Sequence, residues 1–99
     1  MKEGIWLEQA KTLKRNLAVF SRFDATPEEM AELANLIIKD SLSLIRSGES
    51  KKNRETNLDQ LLKFQEAMAT GDQSFENFAD ALYLIASRVC KDALGVFSY

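Results

Sequence analysis

The sequence predicts an all-α fold, an antiparallel four-helix bundle with helices over about 5–22, 27–47, 57–70 and 75–94. Three observations predict it. Apolar residues recur at three- and four-residue steps through four separate stretches, the pattern of helices with one buried face. Glycine and proline number 4 and 1 in 99 residues, and they fall at the ends of those stretches rather than inside them. Apolar residues make up 45% of the chain and charged residues 28%, a balance that supports a modest core and excludes a disordered chain. The chain, 1–99, reads as one helical domain with a flexible polar loop at 49–56 and an apolar C-terminal tail at 96–99.

In the first helix, Trp6, Ala10, Leu13, Leu17 and Phe20 form a seam of alternating four- and three-residue steps. Lys11, Arg15 and Arg22 lie across the helix from it, with Lys14 beside them. Phe23-Asp24-Ala25 is a connection short enough to make the first two helices antiparallel neighbours, with Phe23 covering the end of the seam.

The second helix carries the clearest boundaries. Thr26 is the expected N-cap, Pro27 stands at the first helical position, and Glu29 three residues after Thr26 completes a capping box. Gly48 supplies the left-handed residue that stops the helix. Met30, Leu33, Ala34, Ile37, Ile38, Leu44 and Ile45 form a wide apolar face that includes Ser41, while Leu36 and Leu42 fall off it on opposite flanks. Thr26-Pro27-Glu28-Glu29-Met30 resembles the opening of a helix-turn-helix, but the helical pattern runs on through Leu36, Ile37 and Ile38 with no turn.

After Gly48 the sequence ESKKNRET contains no apolar residue, and Lys51, Lys52 and Arg54 form a small basic cluster there. The third helix is expected to begin near Thr56 or Asn57, with Asn57 and Gln60 as a weaker capping box, and to stop at Gly71. Leu58, Leu61, Leu62 and Met68 face one way, Gln65 sits in their row, and Phe64 extends the face to one flank. The fourth helix, capped by Asp72 or Ser74, buries Phe75, Phe78, Leu82, Ile85 and Val89. Ala79, Ala86 and Cys90 beside them are small enough for close helix approach, and Gly95 ends the element. Four antiparallel helices and a tail in a chain of this size is similar to the plan of small bacteriocin immunity proteins; the likeness is one of architecture alone. Those proteins are often basic, whereas this chain has a formal net charge of −2.

Composition narrows the function classes. The chain has no histidine, which removes the commonest general base and metal ligand. Its one cysteine, Cys90, makes neither an intrachain disulfide nor a structural zinc site. No glycine-rich phosphate loop is present. We therefore expect no enzyme activity, no cofactor and no metal. The acidic balance gives nucleic acid no electrostatic purchase, and no apolar run of membrane-spanning length occurs, so we expect neither nucleic-acid binding nor membrane insertion. The N-terminal stretch lacks the apolar run of a signal peptide, and the expected location is cytoplasmic.

What remains is binding. The candidate interaction surface is Leu36, Leu42, Tyr83 and Leu84, apolar side chains off the main stripes, together with Phe97 and Tyr99 of the tail. The candidate basic face is Lys11, Arg15, Arg22, Lys51, Lys52 and Arg54. These features suit a small non-catalytic protein-binding module: an inhibitor, an immunity factor or a small assembly or regulatory subunit. The alternatives are a nucleic-acid-associated accessory subunit using the basic residues, and a homo-oligomeric helical structural protein, the simplest form of which is a homodimer. An apolar-ligand carrier is a minor fourth possibility.

Overall fold

The computed structural model describes residues 2–71 and 75–95, with side chains from residue 5 onward. Among them are four α-helices: α1 (Lys2–Phe20), α2 (Pro27–Arg46), α3 (Arg54–Thr70) and α4 (Ala79–Leu94). A single 3-10 turn, Phe75–Asn77, precedes α4. The chain is an all-α antiparallel four-helix bundle. α2 packs against each of the other three helices, and α4 also packs against α1 and α3. In cross-section α2 and α4 therefore meet along the short diagonal, with α1 and α3 at the far corners.

Side-chain contacts fix the directions. Ser43 Oγ on α2 donates to Gln9 Oε1 on α1 at 3.1 Å, and Cys90 Sγ on α4 donates to the Ala10 carbonyl at 3.4 Å. At the other end of α1, the Phe20 ring lies 5.9 Å from that of Phe75, just before α4. α1 is thus antiparallel to both α2 and α4, and its start lies beside the end of α4.

The N-terminus of α2 forms as its sequence requires. Thr26 Oγ1 accepts from the Glu29 N–H at 3.2 Å, and the Thr26 N–H donates back to Glu29 Oε1 at 3.0 Å. These bonds satisfy donors that a helix start leaves free. The Thr26 N–H, and after it the Thr26 hydroxyl, hold the Glu29 carboxyl below its ordinary pKa. At the far end Gly48 takes φ +86°, a left-handed conformation that lets the next two amides, Glu49 and Ser50, turn back onto the Leu44 carbonyl.

The core draws on all four helices. Ala10, Leu13, Leu17 and Phe20 of α1 are buried against Met30, Ala34, Ile37, Ile38, Leu44 and Ile45 of α2, with Leu82, Ala86 and Val89 from α4. Trp6 and Ile85 are partly buried at its edge. The expected seams of α1, α2 and α4 are in place.

Several expectations are corrected. α1 ends at Phe20 rather than 22, with residues 21 and 22 in a turn. Phe23 does not cap the seam fully: it is 54% exposed, although its ring stays 5.8 Å from Phe20. α3 begins at Arg54, three residues before the expected start, because Asn57 is not its cap. Asn57 lies inside the first turns, buried, and its Nδ2 donates to the Lys52 carbonyl at 3.2 Å. The buried face of α3 is Asn57, Leu61 and Phe64; Phe64 stacks on Phe78 with ring centroids 4.7 Å apart and planes 4° from parallel. Leu62, expected in the core, is 38% exposed, and Gln65 is exposed, so α3 is the most lightly covered helix. The expected continuous helix over 75–94 is interrupted at Phe78, whose ψ of 15° with φ −132° separates the 3-10 turn from α4. The proposed caps Asp72 and Ser74 lie outside the described residues.

Residues 49–56 are not one solvated loop. Residues 54–56 belong to α3, and Ser50 is only 1% exposed. Asp92, near the end of α4, reaches across: its Oδ2 accepts from Ser50 Oγ at 3.1 Å and from the Lys51 and Lys52 N–H groups at 2.6 and 3.0 Å. A carboxylate near a helix C-terminus opposes the helix dipole, so its position is explained by the loop it holds rather than by the helix it stands on.

Candidate protein-binding groove

Of the six residues expected to form an interaction surface, the structure brings two together. Tyr83 and Leu84 are 39% and 50% exposed on α4. They line a shallow groove between α1 and α4. At one end the groove is walled by Phe20, Ser21, Phe23, Ala79 and Asp80 with Tyr83 and Leu84. At the other it is walled by Lys14 and Ala18 of α1 and by Tyr83, Ser87 and Lys91 of α4, over a floor of Leu17, Cys90 and Leu94. Tyr83 lines both.

Leu36 is exposed, but it is on α2 and takes no part in the walls of this groove. Leu42 is corrected: it is 2% exposed and belongs to the core. It follows Ile38 by four residues, in the same row, and α2 has helices on three sides, so its buried arc is wide enough to include that row. Phe97 and Tyr99 lie outside the described residues.

The groove exists because small residues let α1 and α4 approach. Ala10 and Ala86 are fully buried and Cys90 is 4% exposed. Burial pushes the Cys90 thiol above its ordinary pKa, and nearby Lys14 offsets only part of that rise. The thiol therefore stays protonated at neutral pH and acts as a small apolar residue with a weak donor, bonded to the Ala10 carbonyl.

Phe23 is the wall residue that the sequence did not reveal. Its backbone takes φ +55°, a left-handed conformation uncommon for a bulky residue, and the ring is left largely in solvent at the groove's end. No local residue pattern signals a left-handed phenylalanine.

The basic residues are spread along the length of the bundle. Lys11, Arg15 and Arg22 are all exposed, as are Lys51, Lys52 and Arg54. The loop cluster, however, is tied to Asp92 at the end of α4, whereas Arg22 follows the end of α1. Those two ends are opposite ends of the bundle, separated by roughly the length of α1, about 28 Å at helical rise. Among the described residues no three or more His, Cys, Asp or Glu side chains gather where a metal ion would sit. No described helix is long and apolar enough to cross a membrane.

No protein-family model matches the chain, and no curated protein or solved structure matches it either.

Proposed function

We propose that the chain is a small non-catalytic protein-binding module, and that its binding face is the α1–α4 groove. The occupant is an amphipathic helix, apolar in its middle, acidic where it meets Lys14 and Lys91, and basic where it meets Asp80. The observation that carries this reading is the convergence of three exposed apolar side chains, Phe23, Tyr83 and Leu84, on one groove whose charges are segregated at its ends. Scattered exposed apolar residues are ordinary on a soluble surface, whereas a grouped set bordered by charge is the usual form of a protein contact. A helix laid along such a groove is held by apolar anchors and oriented by its charged ends. The lone buried cysteine suits a reducing compartment, and the proposed location is the cytoplasm.

The test is a tagged pull-down from the native cell extract at moderate and high salt, with wild type and Leu84→Glu compared. A protein retained at both salts by wild type and lost by Leu84→Glu supports the reading. A partner retained equally by both proteins overturns the choice of groove. Nucleic acid retained at moderate salt alone overturns the protein-binding reading, because counterion release makes that class of contact strongly salt-sensitive.

A further inference from the structure

We propose that the helix occupying the groove is α4 of a second copy of this chain, packed antiparallel about a two-fold axis; the inference rests on the binding face proposed above and names its partner. The argument starts from one row of α4. Asp80, Leu84, Ser87 and Lys91 follow one another at steps of four, three and four residues, which places them in a line along the helix. Asp80 and Lys91 are exposed, Leu84 is 50% exposed and Ser87 half-buried. Read from either end, the row runs from one charge through Leu84 and Ser87 to the opposite charge.

Turned end for end against itself, this row is self-complementary. With the axis midway between Leu84 and Ser87, Asp80 of each copy faces Lys91 of the other, about 16 Å along the helix from its own Lys91. Leu84 then lies over the small Ser87 of the second copy, which permits an interaxial distance of about 8–10 Å. A two-fold axis keeps each flank of the helix on its own side of the contact, so the Tyr83 flanks of the two copies meet on the side where α1 walls the groove. Parallel packing would instead set Asp80 against Asp80 and Lys91 against Lys91. An isologous contact of this kind uses the same patch on both copies and closes on itself.

The helix dipole accounts for an acid in the first turn of α4 and a base in the last. It does not account for the exposed Tyr83 and Leu84 between them, nor for Phe23 held outward at the end of the same groove. The apolar contact is small, Tyr83 and Leu84 of α4 with Ala18 of α1 and Phe23 of the connection after it, so the dimer is of the weak, reversible class.

Sedimentation of the full chain between roughly 5 and 500 µM tests the inference, because a reversible dimer makes the mass rise with concentration. Asp80→Lys and Lys91→Asp should each weaken association by about tenfold or more, since like charges then face each other. The double exchange should restore it, because every facing pair is again opposite in sign. Far-UV circular dichroism checks that each exposed substitution leaves the helices intact. Restoration by the double exchange supports the antiparallel register. Association lost in the single variants and not restored in the double overturns it. A chain that is monomeric throughout the range overturns the dimer, and if it still retains another protein through Leu84 the proposed function stands. A dimer indifferent to Leu84→Glu and to both charge reversals places the contact elsewhere and overturns the inference, while the groove itself stands or falls with the Leu84→Glu pull-down.

Discussion

Replacing Asp92 with alanine should destabilise the fold by about 2 kcal/mol, and the structure indicates how that sum arises. Three donors lose their acceptor: the Ser50 hydroxyl and the Lys51 and Lys52 amides. Hydrogen bonds to a charged group are nominally worth about 1.5–3 kcal/mol each. The two lysine residues are exposed, so water replaces most of what their amides lose, leaving about 0.5 kcal/mol for each. Ser50 is 1% exposed, and its unpartnered hydroxyl carries a desolvation cost of about 1–3 kcal/mol. Removing a carboxylate from a helix C-terminus returns about 0.5 kcal/mol through the dipole.

The assay is urea denaturation followed by circular dichroism. With an m-value of about 1.2 kcal/mol/M the midpoint should fall by about 1.7 M. Ser50→Ala should cost about 1 kcal/mol in wild type and almost nothing beside Asp92→Ala, because the hydroxyl has then already lost its acceptor. Burial pushes the Asp92 carboxyl up, but the Lys52 and Lys51 amides, the Ser50 hydroxyl and the Lys52 charge outweigh it and leave the pKa lowered. A lowered carboxyl pKa contributes stability above the unfolded value of about 3.9 and loses it as pH falls through the folded value. The charge-dependent part of the gap between wild type and variant should therefore hold from neutral pH to about pH 5 and close below that. A variant within 0.5 kcal/mol of wild type, on the order of an ordinary surface substitution, or strict additivity with Ser50→Ala, refutes the reasoning.

Three further substitutions test the pattern of burial in α2. Leu42→Ala should cost about 2–5 kcal/mol and Leu36→Ala less than about 1, the first opening a cavity and the second trimming an exposed side chain; equal midpoints in urea would contradict the burial of Leu42. Ser41 Oγ is buried without a hydrogen-bond partner among the described residues, so Ser41→Ala should raise the thermal midpoint, a gain of up to about 1 kcal/mol; a fall would mean that the hydroxyl is satisfied.

The sequence makes the bundle legible where its signals are local. Thr26, Pro27, Glu29 and Gly48 sit next to the ends they define, and α2 begins and stops as they dictate. The seams of α1 and α4 follow from spacing alone. What the sequence conceals depends on partners far along the chain. Asp92 holds residues about 40 positions away, so nothing near it marks the loop at 50–52 as anchored. Asn57 has the residue type and spacing of a cap, and only the position of the Lys52 carbonyl shows that it acts from inside the helix. Leu42, expected off the core, is buried and Leu62, expected in it, is exposed, because a helical wheel gives angles but not the number of neighbours. The same limit applies to the groove: Tyr83 and Leu84 are recognisable as surface residues, but their convergence with Phe23 requires the antiparallel pairing of α1 with the turn before α4.

The bond from Cys90 to Ala10 joins residues 80 positions apart, and that from Ser50 to Asp92 joins residues 42 apart. In an unfolded chain each closes a loop, and the entropy of closure rises only with the logarithm of loop length. The longer loop therefore costs just about 0.6 kcal/mol more than the shorter one. That difference is smaller than the contribution of a single well-buried leucine. During refolding, the order in which the seams zip is accordingly set less by the length of chain between them than by how much apolar surface each one hides.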